Sequence, residues 1–294
     1  MAKVLGISGG TGFCGKEIIK RSIQKNINVV SYQRSWEKKV DYTVREFSLE
    51  NVSKMDVSLL DGVDTFVHSA ALVHNKWESE MYHTLNFLAT KMLFKKCAEA
   101  GVKKFIFLST VGVYGLTSAL KSVNIKSELA PRTFYSKSKL DAENYLLEKS
   151  SLYGVEVLIL RLPLVCGEEA PGNLGLLKKI TNWQIPLPFK DVGNRRSIIS
   201  VETLANVVTD CALDKVKWEG IELITDPQPL STESIILKFS QDWGRSVLLF
   251  SVPKKIMKLI FVIVGKRIIY EKLFEDLVFE SSRSVSSFIE KGLK

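Results

Sequence analysis

Short hydrophobic runs alternate with longer amphipathic segments through the first half of the chain. Six runs rich in Val, Ile and Phe are predicted strands, at 3–8, 27–32, 41–47, 65–69, 104–109 and 155–160. Segments 16–25, 81–100 and 135–149 place apolar residues at i, i+3 and i+4, the period of an amphipathic helix. Buried strands that alternate with helices are typical of parallel sheets. The pattern therefore predicts an α/β fold of Rossmann type, a doubly wound parallel sheet.

Prolines interrupt this pattern in the second half of the chain. Seven of the eight prolines lie after residue 162. Because proline removes a backbone donor and ends regular elements, this half cannot continue a regular alternation of strands and helices. We predict a dinucleotide-binding core over 1–162 and a smaller substrate-binding lobe over 163–294, interleaved with the core.

The composition is that of an ordinary globular protein, with 46% hydrophobic and 25% charged residues. Met1 leads directly into an apolar run that stops at Ser8, which lacks the features of a signal peptide, so we expect a cytoplasmic protein. The four cysteines lie far apart, and the three histidines do not have the spacing of zinc ligands. We therefore expect reduced thiols and no metal.

Basic residues outnumber acidic ones by 41 to 32, a net charge of +9 that favours anionic partners. The excess is concentrated in 253–272, where six basic residues and one acidic residue surround an apolar run. That run is too short to span a bilayer, which takes about 20 apolar residues. It predicts either a helix packed on the lobe or one resting on a membrane surface. With only Phe261 and Tyr270 as aromatic residues, the segment does not predict nucleic-acid binding.

A glycine-rich turn follows the first predicted strand. Residues 8–15 read Ser-Gly-Gly-Thr-Gly-Phe-Cys-Gly and lead directly into a helical pattern. Glycine allows a tight turn and lets a pyrophosphate approach the backbone at the helix N-terminus. Any tight strand-to-helix turn could use such glycines, but a position after the first strand favours a dinucleotide site. The predicted cofactor-binding residues here are Gly9, Thr11, Gly12, Phe13, Cys14 and Gly15.

The end of the second predicted strand bears on which dinucleotide is used. NAD-preferring sites usually have an Asp or Glu there, about 20 residues after the glycines. Residues 31–35 instead read Ser-Tyr-Gln-Arg-Ser, and Arg34 can pair with a 2′-phosphate. We therefore predict NADP, with NAD as the alternative if Arg34 only stacks on adenine or points to solvent.

Tyr135 and Lys139 are candidate catalytic residues, since four residues apart on a helix both lie on one face. A neighbouring ammonium lowers the pKa of a phenol, so Tyr135 could exchange a proton with a substrate alcohol or ketone. Lys139 would also reach the nicotinamide ribose. The strand at 104–109 leads into the hydroxyls of Ser109 and Thr110, either of which could hold the reacting oxygen against Tyr135.

Together these motifs resemble the extended short-chain dehydrogenase/reductase superfamily, in particular its nucleotide-sugar epimerases and 4-ketohexose reductases. The resemblance covers nearly the whole chain. Its further parts are Asp61-Gly62-Val63-Asp64, His68-Ser69-Ala70-Ala71, Asn86, Tyr114-Gly115, Arg161-Leu162-Pro163 and Asn194-Arg195-Arg196-Ser197.

The resemblance implies roles for individual residues and a homodimer formed through the two long helices. Thr110 matches the family's strand-end hydroxyl, with Ser109 as the second choice. Asn173 resembles the asparagine that contacts the nucleotide-sugar, and Arg196 the arginine that holds its diphosphate, an anion that suits a planar guanidinium. Further residues that the resemblance places along the cofactor are Ser69, Ala70, Ala71, Asn86 and Pro163.

Two enzymatic functions fit these residues. Elimination of water is not expected, because the superfamily's dehydratases have Asp-Glu where this chain has Val111-Gly112. We predict an NADP-dependent reductase of the 4-keto group of a nucleotide-activated sugar of UDP-hexosamine type, in surface-polysaccharide synthesis. The first alternative is an NAD-dependent UDP-sugar 4-epimerase. Two further alternatives are an oxidoreductase of other carbonyl or hydroxysteroid substrates and a non-catalytic NADP-binding sensor or scaffold.

Overall fold

A seven-stranded parallel sheet forms the centre of the molecule, in the order β3-β2-β1-β4-β5-β6-β9. The computed structural model describes residues 2–34, 40–73, 78–183, 185–244 and 246–288. The strands of this sheet are β1 (Val4–Ser8), β2 (Asn28–Gln33), β3 (Thr43–Glu46), β4 (Thr65–His68), β5 (Lys104–Thr110), β6 (Glu156–Leu162) and β9 (Gly220–Leu223). A separate parallel pair is formed by β7 (Leu164–Cys166) and β8 (Ile198–Ser200).

The sequence pattern predicts six of the seven sheet strands to within two residues at either end. The strand it misses is β9, which has four residues and begins at Gly220, where φ is +71°. Its short run contains one β-branched residue, so no hydrophobic period marks it. The predicted Rossmann-type α/β fold is confirmed.

Helices cover both faces of the sheet. The α-helices within the described residues are α1 (Phe13–Gln24), α2 (Ser79–Tyr82), α3 (Ala89–Glu99), α4 (Phe134–Tyr153), α5 (Gly172–Asn182), α6 (Val201–Ala212), α7 (Thr232–Asp242), α8 (Lys254–Ile263) and α9 (Arg267–Phe274). On one face, α1 and α6 pack their aliphatic side chains on β1. On the other face, α3 and α4 bury theirs against the phenylalanines of β4 and β5. The sheet is therefore doubly wound, and the predicted homodimer through the long helices stays a prediction.

A second apolar core lies outside the sheet and holds the lobe together. It joins Leu174 of α5, Phe239 of α7, Met257 of α8 and Phe274 of α9. In contrast, α6 and β9 pack on or pair with the central sheet, so the second half of the chain contributes both to the sheet and to the lobe. The predicted boundary after residue 162 stays a prediction.

The outer edge of β9 is covered by the chain segment that follows Glu280. The Ser282 backbone N–H donates to the Leu223 carbonyl at 2.8 Å, and the Ser282 hydroxyl accepts from the Leu223 N–H at 2.9 Å. Arg283 adds an ion pair of 2.9 Å with Glu222. The backbone groups of Leu223 that face away from β6 therefore have partners.

The basic segment 253–272 forms α8 and most of α9, which pack on the lobe. None of the helices in the described ranges is both long and apolar enough to cross a membrane.

Candidate active site

A cleft of about 580 Å³ opens at the carboxyl ends of β1, β2, β4, β5 and β6. Open α/β sheets bind their ligands at this edge, where the connections diverge to opposite faces. The predicted site residues that line the cleft are Gly9, Thr11, Gly12, Phe13, Cys14, Arg34, Ser69, Ala70, Ala71, Ser109, Thr110, Tyr135, Lys139 and Pro163. The fold thus brings the predicted cofactor turn and the predicted catalytic residues into one cavity.

The glycine turn is built for close backbone approach. Gly9 has φ of +75°, and a Cβ on it would lie 2.6 Å from the Ala70 nitrogen. A Cβ on Gly15 would lie 2.1 Å from the Gly9 carbonyl oxygen, so this glycine seats α1 against the turn without lining the cleft. Helix α1 starts after Gly12, and no side chain caps it. Its positive end therefore opens on the cleft and suits a pyrophosphate.

Asn86 holds the cleft wall that follows β4. It lies in a π-helical turn (His83–Leu88) between α2 and α3. Its side chain accepts from the Leu72 N–H at 2.7 Å and donates to the Leu72 carbonyl at 2.9 Å and to the Ser138 hydroxyl at 3.2 Å. Leu72 lines the cleft and Asn86 does not. In this structure Asn86 positions the loop at Leu72, and its predicted contact with the cofactor stays a prediction.

The start of α4 fixes the catalytic pair. The Thr133 hydroxyl caps the helix by accepting from the Ser136 N–H at 3.1 Å, which places Tyr135 in the first turn. One turn later, the buried Lys139 ammonium donates to the Leu108 carbonyl at 2.7 Å and lies 4.2 Å from the centre of the Phe107 ring. Both side chains reach the cleft from one helix face, as the sequence spacing predicts.

Burial shifts the pKa values of Tyr135 and Lys139, and the shift of Tyr135 is opposite to the one predicted from the sequence. Desolvation raises the pKa of the Tyr135 hydroxyl, and the neighbouring Cys14 thiol acts in the same direction. Desolvation lowers the pKa of Lys139 to about 7, against an opposing effect of Glu143. The sequence predicts that Lys139 lowers the pKa of Tyr135, but in this structure burial raises it.

The two hydroxyls at the end of β5 have different surroundings. The Ser109 hydroxyl is buried and donates to the Glu143 carboxylate. The Thr110 hydroxyl oxygen accepts from the Gly112 N–H at 3.0 Å, which leaves its own hydrogen to be donated. Of the two, Thr110 is the better donor to an oxygen in the cleft.

Comparison with known proteins assigns the chain to a family. Residues 5–217 match the NAD dependent epimerase/dehydratase family. The chain belongs to this family. It is accordingly an NAD(P)-dependent enzyme of the extended short-chain dehydrogenase/reductase superfamily, which confirms the resemblance drawn from the motifs.

This epimerase/dehydratase family member aligns with similar proteins over nearly its whole length. The UDP-glucose 4-epimerase of Vibrio cholerae is 28% identical over 293 residues, 97% of this chain and 89% of that protein. The structure of MoeE5 in complex with UDP-glucose and NAD has a TM-score of 0.73 at 21% identity, covering 99% of this chain and 95% of that one. The Bacillus cereus UDP-glucuronic acid 4-epimerase in complex with NAD has a TM-score of 0.73 at 18% identity, covering 97% and 92%. These two structures share the fold of this chain.

Two residues that sequence reasoning missed support the catalytic end of the cleft. Glu143 and Arg161 form a buried ion pair, with the Arg161 Nη2 2.7 Å and Nε 3.1 Å from Glu143 Oε2. Arg161 also donates to the Tyr114 hydroxyl at 3.0 Å. Glu143 follows Lys139 by four residues, a spacing that puts both on one helix face and could have drawn attention to Glu143, although not to its partner Arg161.

A carboxylate at the other end of the cleft was also missed. Glu50 lines the cleft with Arg34 and Ser48. Hydrogen bonds from the Ser48 hydroxyl and from a backbone N–H lower the pKa of Glu50, and the charge of Arg34 acts in the same direction. The acidic group therefore lies four residues after the end of β3. The usual sequence signal for an NAD site is an Asp or Glu at the end of β2, so it does not indicate Glu50.

The two predicted substrate-binding residues lie outside the cleft lining. Asn173 is exposed in the first turn of α5, two residues after Pro171, which does line the cleft. The Arg196 Nη1 donates to the carbonyls of Thr117, Glu271 and Glu275 at 3.1–3.3 Å. In this structure Arg196 ties the end of α9 to the loop at 117, and its role toward a diphosphate stays a prediction.

Proposed function

We propose that this family member is an NAD-dependent UDP-sugar 4-epimerase. The observation that carries the proposal is that Thr110, Tyr135 and Lys139 share one cleft with the glycine turn. The Vibrio cholerae relative that matches 97% of the chain is named a UDP-glucose 4-epimerase. Of the two similar structures, MoeE5 holds UDP-glucose and NAD, and the Bacillus cereus UDP-glucuronic acid 4-epimerase holds NAD. We therefore place the epimerase ahead of the 4-keto reductase that Arg34 favours on sequence grounds.

The cleft fits a dinucleotide along its length. A Cβ at Gly9 or Gly15 would meet backbone atoms of Ala70 or of the turn itself, so glycine at these positions keeps the tight turn that a pyrophosphate can approach. At the adenosine end, Glu50 provides a carboxylate that can accept hydrogen bonds from ribose hydroxyls and that would repel a 2′-phosphate. This supports NAD over NADP, because it offsets the attraction that Arg34 offers to a phosphate.

The residues at the nicotinamide end have distinct tasks. When bound, NAD would supply the acceptor for a hydride from a sugar carbon and the donor that reduces the resulting ketone. We assign Tyr135 the exchange of a proton with the C4 oxygen of the sugar, and Thr110 a hydrogen bond that holds this oxygen. In its protonated form Lys139, fixed by the Leu108 carbonyl, would favour the phenolate form of Tyr135, which is the form that accepts the proton of the C4 hydroxyl.

For substrate contacts we keep Asn173 and Arg196 as candidates. Asn173 stands beside the cleft at the start of α5. Arg196 would have to release part of its backbone contacts to meet a diphosphate, a movement that substrate binding would have to drive.

The test is an assay of UDP-glucose, UDP-N-acetylhexosamines and their 4-keto derivatives with NAD and with NADPH, followed by separation of the C4 epimers. We expect inversion at C4 without net consumption of NAD. Tyr135→Phe should bind NAD normally and lose turnover, while Tyr153→Phe, which removes a hydroxyl at the far end of α4, should keep both. Stoichiometric oxidation of NADPH by a 4-keto sugar, without C4 inversion, would establish the reductase instead.

Cofactor preference is tested separately at Glu50. Glu50→Gln removes the charge but keeps the size, so we expect the ratio of NAD to NADP affinity to fall about tenfold or more, the value of a charge-assisted hydrogen bond. The exposed Glu128→Gln is the control and should leave this ratio unchanged. An unchanged ratio in Glu50→Gln, measured by titration of both dinucleotides, would exclude Glu50 from ribose recognition.

A further inference from the structure

Helices α8 and α9 form a hairpin that contacts the lobe through one side only. Met257 and Phe261, one turn apart on α8, join the apolar core of the lobe. The Phe261 ring lies 6.2 Å from Tyr270 and 6.1 Å from Phe274, both on α9. The connection turns at Gly265, which has φ of +68°. These contacts define which face of the hairpin is inside.

The opposite face carries aliphatic side chains in contact with solvent. On α8, Ile256, Leu259, Ile260 and Ile263 recur at i, i+3, i+4 and i+7 and so share one face, with 48–74% of each side chain exposed. We call the exposed aliphatic residues of the two helices and their connection the hairpin patch, which consists of Ile256, Leu259, Ile260, Val262, Ile263, Val264, Ile268 and Ile269. Soluble surfaces rarely leave this much contiguous aliphatic area uncovered unless it binds something.

The segment that carries the hairpin patch is also rich in positive charge. Residues 253–272 hold six basic side chains, all exposed, which are Lys254, Lys255, Lys258, Lys266, Arg267 and Lys272. The segment has one acidic residue, Glu271, which is half-buried and accepts hydrogen bonds from Thr117 and Arg267. An occupant that suits the whole hairpin therefore offers apolar groups to the aliphatic face and negative charge to the basic side chains.

We propose that the hairpin patch rests on the surface of an anionic lipid bilayer. At 1.5 Å per residue, the ten residues of α8 extend about 15 Å, half the thickness of the hydrocarbon layer, so the helix lies in the interface. Acyl chains would cover the aliphatic face, and lipid phosphates would neutralise the lysines. A second copy of this chain fits less well, because a two-fold contact would bring the same cations of both copies together.

Vesicle sedimentation with the full chain tests this proposal. We expect the protein to sediment with vesicles of phosphatidylcholine mixed with phosphatidylglycerol, and to be released when the salt concentration rises. Phosphatidylcholine alone should retain little protein. Ile263→Ser should weaken partition into the anionic vesicles about tenfold or more, given the apolar area that it removes. Leu152→Ser is the matched control, since Leu152 is 71% exposed and Ile263 74%, and it should have no effect.

The charge is tested by a second pair of variants. Lys255→Gln with Lys258→Gln should weaken partition by about fivefold per lysine. Lys54→Gln with Lys103→Gln changes two other exposed lysines and should not weaken it. The melting temperature of each variant shows that it is folded.

Three results would overturn the membrane proposal. The first is no partition of the full chain into anionic vesicles. The second is an equal loss of partition in Ile263→Ser and Leu152→Ser. The third is a concentration-dependent dimer that Ile263→Ser dissociates, which would assign the hairpin patch to a second copy. None of these outcomes depends on epimerase activity, so this test and that of the proposed function can fail independently.

Discussion

Replacing Glu143 by Gln is expected to destabilise the folded protein strongly. Both partners of the Glu143–Arg161 pair are buried, with 0% and 2% of their side chains exposed. Glutamine keeps the size and one oxygen acceptor, so the substitution removes little except the negative charge. Breaking a buried pair by removing one partner costs about 3–5 kcal/mol, because the other charge stays buried without compensation. Since domains are stable by about 5–15 kcal/mol, the loss is a large share of the total.

Urea unfolding, followed by the fluorescence of the tryptophans, measures this loss. The control is Glu148→Gln on the same helix, where the pair with Lys149 is also short, at 2.6 Å, but Glu148 is exposed. We expect no measurable change in that control. The double variant Glu143→Leu with Arg161→Met should recover most of the stability, because no charge is then left alone. A Glu143→Gln protein within about 1 kcal/mol of the control would refute the reasoning.

Two further predictions concern the glycine turn and Lys139. Gly15→Ala should abolish dinucleotide binding and lower the melting temperature, because its Cβ would meet the Gly9 oxygen at 2.1 Å; Gly193→Ala, which meets nothing within 4 Å, should do neither. Lys139 has its pKa lowered to about 7 when folded, against about 10.4 when unfolded, so between these values the unfolded chain binds the additional proton. The free energy of unfolding should therefore rise from pH 7 to pH 9.5 and should rise less in Lys139→Met; parallel urea midpoints in the two proteins would contradict this.

The sequence predicts the central sheet well because parallel strands are buried on both faces. Residues 104–109 and 155–160 are nearly continuous hydrophobic runs, and each becomes a central strand. The signal fails at β9, since its burial comes from packing between distant segments rather than from its own period. For the same reason, no local pattern shows that α6 returns to the sheet while α8 and α9 do not.

The candidate site is predictable where one short segment carries the chemistry. The glycine turn and the Tyr135/Lys139 pair are such segments, and all of their predicted site residues except Gly15 line one cleft. Groups that meet only after folding are different, because nothing local relates Glu143 to Arg161 or Arg34 to Glu50. Burial is equally non-local, so the upward shift of the pKa of Tyr135 could not be read from its spacing to Lys139.

The two edges of the central sheet give another molecule little opportunity to add a strand. Each outermost strand has only four residues, and the outer groups of Leu223 on β9 are already bonded to Ser282. An uncovered edge is a template on which another polypeptide can add a strand. At β9 the molecule supplies that strand-like partner from its own C-terminal segment. Aggregation by edge-to-edge growth should therefore begin there only after residues 281–283 have detached.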